Sequence, residues 1–144
     1  MTSMMTDLVG TEDADAAVRH LISLLRTLSP HEDYGLRGLF LYPRHGLREW
    51  HSNRFDPPGW RMYLIHTEED AKSWFGVRDP VTGSIHHLPD FDGKANLFRI
   101  ESKSQDAVWH SIYSTTNRWS CGVRLSDDVA QDIIRSARAA TAFV

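Results

Sequence analysis

Residues 44–54, RHGLREWHSNR, gather three arginines and two histidines, and only Glu49 opposes them. Histidine moves protons near neutral pH, and arginine stabilises spreading negative charge. His45, His51, Arg44, Arg48 and Arg54 therefore have the chemistry of a small metal-independent enzyme acting on an anionic, phosphate-containing substrate. Their spacing is not specific to that reaction, and the same alternation suits a solvated loop.

The chain has eight histidines, but their spacing does not make a metal site. His86 and His87 are adjacent on a strand-like run and point to opposite faces. His45 and His51 lie in no CxxC or HExxH pattern. Asp90 and Asp92 in PDFDG read as an Asp-Gly turn, because the remaining ligands of a calcium loop are missing. No metal and no cofactor are expected. Cys121, the only cysteine, is placed near His110 by a hairpin reading, but on an apolar face that suits a quiet structural thiol better than a nucleophile.

The elements that must position these residues follow from periodicity. Val18, Leu21, Ile22, Leu25 and Leu28 recur at helical spacing after the capping stretch Thr11–Asp13, and Pro30 ends the run. RGLFLYP (37–43) reads as a strand, 43–59 as a long loop closed by DPPG, and WRMYLIH (60–66) as a strand. Residues 67–74 are ambiguous between helix and strand. SIHHL and ANLFRIE read as further strands, with turns at DPVTG and PDFDG between them. Ser126, Asp127 and Asp128 open a final helix whose inner stripe is Val129, Ile133, Ala137 and Ala140. The fold class expected is α+β: an N-terminal helix, a five- to six-stranded mostly antiparallel sheet, and a C-terminal helix on one face. Residues 1–10 read as a flexible leader and 11–144 as a single domain.

AVWHSIYS and WSCGVRL, separated by TTNR, read as a hairpin. Symmetric closure sets Trp109 opposite Arg124 and His110 opposite Val123. Alternation then gives an apolar core face and a second face carrying Trp109, Tyr113, Ser120, Gly122 and Arg124. Trp, Tyr and Arg are enriched at interface hot spots. Trp109, Tyr113 and Arg124, joined by Arg48 and Trp50 of the basic stretch, are thus the expected partner-binding residues.

Composition bounds the rest. A chain of 144 residues, 41% hydrophobic and 24% charged, is an ordinary globular domain. Thirteen of its sixteen basic residues are arginine, and residues 34–61 carry +3 in a chain of net charge −3. An acidic chain with no recognised reader motif argues against nucleic acid as the main partner. No apolar run approaches a membrane span, and the single cysteine fits a reducing cytoplasm. These features together point to a small cytoplasmic interaction protein, of the inhibitor or bacterial immunity-protein kind, that binds another protein through an exposed Trp/Tyr/Arg sheet face. The His/Arg enzyme is the alternative.

Overall fold

The computed structural model describes residues 5–9, 11–28, 30, 34–53, 55–101 and 107–142. Arg54, residues 1–4, residues 102–106 and the side chains of Val18, Leu21 and Leu28 lie outside the described residues.

Alternating apolar and polar residues with strong β formers give β2 (Leu36–Tyr42), β4 (Gly59–Thr67), β5 (Ser73–Arg78), β7 (Ala95–Ile100), β8 (Trp109–Ser114) and β9 (Arg118–Leu125). Shorter strands are β1 (Thr6–Asp7), β3 (Leu47–His51) and β6 (Ile85–Pro89), and the helices are α1 (Glu12–Leu28) and α2 (Asp127–Thr141). The stretch expected to be a long loop thus contains a strand, β3. The ambiguous segment 67–74 resolves into the end of β4, a turn and the start of β5.

The strands form two antiparallel sheets, in the orders β1-β2-β9-β4-β7 (sheet A) and β3-β8-β5-β6 (sheet B). Leaving the short β1 aside, this interleaving of successive strands between two four-stranded sheets is the jelly roll. The expected α+β class with one five- to six-stranded sheet is therefore wrong: the fold is mainly β, in two layers.

The expected hairpin is wrong for a related reason. β8 pairs with β3 and β5 in sheet B, while β9 pairs with β2 and β4 in sheet A. The intervening turn is tied to the loop before β5: Thr115 donates through N–H and Oγ1 to Lys72 O, and Asn117 Nδ2 donates to Glu68. Those bonds turn the chain from one sheet to the other.

Both helices cover the outer face of sheet A. Ile22 and Leu25 of α1 and Val129, Ala130 and Ile133 of α2 pack with Met62, Leu64, Leu97, Val123 and Leu125. Each fully buried aliphatic side chain contributes about 1.5–3 kcal/mol. The Ser126 hydroxyl accepts from Val129 N–H at 3.3 Å, and Asp127 and Asp128 meet the positive end of α2. A smaller apolar cluster, Tyr42, Phe75 and Ile112 with Phe40, Val77 and Phe98, fills part of the space between the sheets.

Candidate functional site

The register assigns sheet A two unlike faces. Met62, Val123 and Leu125 point to the helices. The residues alternating with them point toward sheet B, in cross-strand rows Phe98–Arg61–Arg124, Asn96–Tyr63–Gly122, Ile65–Ser120–Phe40 and Thr67–Arg118–Tyr42. An inter-sheet layer in a jelly roll is normally apolar, yet this one holds Arg61, Arg118, Arg124, Asn96 and Ser120.

Arg118 is 1% exposed. Its Nε donates to Asp90 Oδ2 at 2.8 Å, and its guanidinium lies over the Tyr42 ring at 5.1 Å. Asp90 is itself fully buried, accepts from Ser73 Oγ at 3.0 Å and lies 3.5 Å from Lys94 Nζ. Arg118 Nη1 has no hydrogen-bond partner among the described residues, and neither has Asn96 Nδ2. Both residues line one narrow cavity of about 20 Å³, together with Arg48, Tyr63, Phe75, Phe98 and His110. Two buried donors facing a common space are costly unless something accepts from them.

Gly122 makes this geometry possible. A Cβ there would sit 2.5 Å from the Tyr63 ring, so the missing side chain lets that ring lie across β9. The ring stacks on Phe98 at 5.7 Å and 5°. Burial raises the Tyr63 pKa, against the nearby Arg48 charge.

The sheet B wall is set by a bulge in β3. Arg48 pairs with Ile112 and His51 with His110, so two residues of β3 oppose Ser111 alone. In a regular strand, positions 48 and 51 point to opposite faces. The bulge turns both inward, and the His51 and His110 rings lie 4.1 Å apart. His110, 4% exposed, is held at a pKa of about 3 by burial, with the His51 ring and Arg48 adding to the effect. Burial also lowers the His51 pKa, against a hydrogen bond to Glu49 O. Two neutral imidazoles result. Each has Nδ1 at a backbone carbonyl, His51 to Glu49 O at 2.7 Å and His110 to Val108 O at 3.2 Å. Nδ1 thus carries the proton, and Nε2 is the accepting atom.

The expected site residues divide. Arg48 lines the cavity and His51 touches His110. Arg44 and His45 lie outside it, exposed at the turn before β3, where Arg44 pairs with Glu69 at 3.2 Å and His45 has φ 65°. Trp109 and Tyr113 stand on the outer face of sheet B with Trp50, 38%, 43% and 40% exposed. Arg124 belongs to sheet A, beside Arg61, so the expected Trp109–Arg124 pair does not form; Trp109 is paired with Arg78. Cys121 is not near His110 either: it lies on β9 between Leu39 and Leu64, and burial pushes its thiol up to about 11. No group of three metal-ligating side chains occurs among the described residues.

Sequence reasoning missed Arg118, Asn96, Tyr63 and Asp90. Their one signal was the polar stripe Arg118, Ser120, Gly122, Arg124 along β9, part of which was read as a solvent face.

No protein-family model matches the chain, and no curated protein matches it. Among solved structures, it is similar to the crystal structure of a Pseudomonas putida prolyl-4-hydroxylase, with a TM-score of 0.50 and 18% identity over 85% of this chain and 70% of that one. At that identity the likeness is one of fold. It overturns the expectation of an inhibitor or immunity protein: the single sheet whose open face would have docked a partner does not exist, and the architecture is one an enzyme uses. No helix among the described residues is long and apolar enough to cross a membrane.

Proposed function

We propose that the chain binds a small organic acid between its two sheets. The observation that carries this is the pairing of Arg118 Nη1 and Asn96 Nδ2, both buried, both without partners among the described residues, and both on one cavity. A guanidinium with one edge neutralised by Asp90 and the other edge free is suited to a carboxylate. Phe75 and Phe98 form the cavity's apolar side. The cavity has room for about one water, so a slender acid head enters it, rather than a bulky phosphate ester. Arg48, half-buried on edge strand β3, marks the mouth. The unpaired Cys121 supports a cytoplasmic setting.

Calorimetric titration with a panel of small mono- and dicarboxylates, set beside phosphate, sulfate and the corresponding amides, tests this. A carboxylate should bind in preference to its amide and to phosphate. Asn96→Asp places a fixed carboxylate in the same cavity, so it should weaken the acid at least tenfold without lowering the melting temperature. Failure of every carboxylate at millimolar concentration, or unchanged affinity in Asn96→Asp, would overturn the reading.

A further inference from the structure

The outer face of sheet B is left bare by the described residues, because both helices lie on sheet A. Its register sets Leu47, Tyr113, Trp74 and Pro89 in one cross-strand row and Ser111, Gly76 and His87 in the next. Trp50 joins the second row through the β3 bulge. A Cβ on Gly76 would stand 3.3 Å from the Trp50 ring, 2.6 Å from Ser111 Oγ and 3.3 Å from His87. Gly76 belongs to β5 and Trp50 to β3, with β8 between them, so the indole lies down across β8. Ser111 and Gly76 are small enough to let it do so. The ring stays 40% exposed, so one face rests on the sheet and the other meets solvent. Beside it, Trp74 and Tyr113 stack at 6.0 Å and 18°, and with His87 they border an open hollow of about 350 Å³.

Flat rings with free faces, ringed by Ser111, His87 and Arg78, match a ligand with an apolar ring face and polar edges. A pyranose has that form: axial C–H groups on its face and hydroxyls around its rim. Charge excludes the other common stacking ligand. In the rows of this face, Leu47–Tyr113–Trp74–Pro89, Ser111–Gly76–His87 and Trp109–Arg78–Ile85, Arg78 alone carries a formal charge, whereas a single-stranded nucleic acid needs a basic track beside its stacking rings. We propose that the outer face of sheet B binds neutral glycans, stacking sugar rings on Trp50 and on the Tyr113–Trp74 pair.

The test is affinity electrophoresis of the full chain through gels holding soluble β-glucan, xylan, galactomannan or starch, with tryptophan fluorescence titration of whichever retards it. At least one polysaccharide should retard the protein and perturb its fluorescence, with little dependence on salt. Trp50→Ala and Tyr113→Ala should each weaken this at least tenfold while the melting temperature and Asn96-dependent acid binding persist. Trp50→Phe and Tyr113→Phe, which keep a ring and the packing beneath it, should retain most of the binding. Retardation by no polysaccharide, undiminished binding in both alanine variants, or preferential binding of polyuridylate or of a proline-rich peptide would overturn the proposal.

Discussion

Arg118 shows how a charge can be kept in an interior. Removing a guanidinium from water costs several kcal/mol unless its partners are well placed. Asp90, fully buried and bonded to Ser73 as well, provides the fixed counter-charge. Asp90→Asn keeps the shape and removes the charge, so it should cost about 3–5 kcal/mol; urea unfolding at neutral pH measures it. Cys121 offers a second residue-level check. With its thiol near 11 from burial, it should react with a thiol reagent at neutral pH about a hundredfold more slowly in the native protein than after unfolding, and reaction at the rate of free cysteine in the native protein would contradict its placement. Little of this was legible in the sequence. Asp90 and Asn96 flank one turn, but Arg118 comes from another strand, and only the fold brings it to them. The β9 stripe was visible, but polar alternation implies solvent only where a sheet has one covered face. Sheet A has two, one under the helices and one against sheet B.

At the scale of elements, local signals served where a structure is held by local bonds. α2 begins where Ser126, Asp127 and Asp128 place its cap and first-turn acids. Ser126→Ala should cost about 1 kcal/mol, seen as a melting point lower by about 3 °C. Signals failed where a long-range tie decides. TTNR has the length of a hairpin turn, but its bonds to Glu68 and Lys72 send β9 into the other sheet. The β3 bulge was equally hidden, since positions 48 and 51 lie on one face only when an extra residue intervenes. Deleting Trp50 removes the extra residue and leaves Arg48 and His51 two apart, on one face of a regular strand, with His51 still opposite His110. The nitrogen chemical shifts of His110 should then be kept, while a changed spectrum would mean that the imidazole pair needs the bulge itself.

For the molecule as a whole, acid sensitivity follows from the inter-sheet layer. His110 has a folded pKa of about 3, below the 6.5 of an unfolded histidine. Between those values the unfolded chain binds a proton that the folded chain excludes. Stability is therefore full above about 6.5 and falls as the pH drops toward 3, by at most about 5 kcal/mol from this residue. His51, lowered in the same direction, adds to the trend. Urea midpoints taken from pH 7 to pH 4 should decline, and His110→Phe, packed between Phe75 and Phe98, should flatten the profile. A slope identical to that of the unsubstituted protein would place the acid sensitivity elsewhere.

β9 is the last strand along the chain, yet it stands at the centre of sheet A, with β2 on one side and β4 on the other. Its pairing of Leu36 with Val123 joins residues 87 positions apart. During synthesis β2 and β4 leave the ribosome with no central strand between them. The binding layer also lacks Arg118 and Ser120 until that strand arrives. Closure of the two sheets and assembly of the proposed acid site are then one late event, governed by long-range pairing and slow on the scale of helical proteins. A nascent chain arrested before β9 has clears the exit tunnel should show neither acid binding nor a protease-resistant core, and both should appear together once it is released.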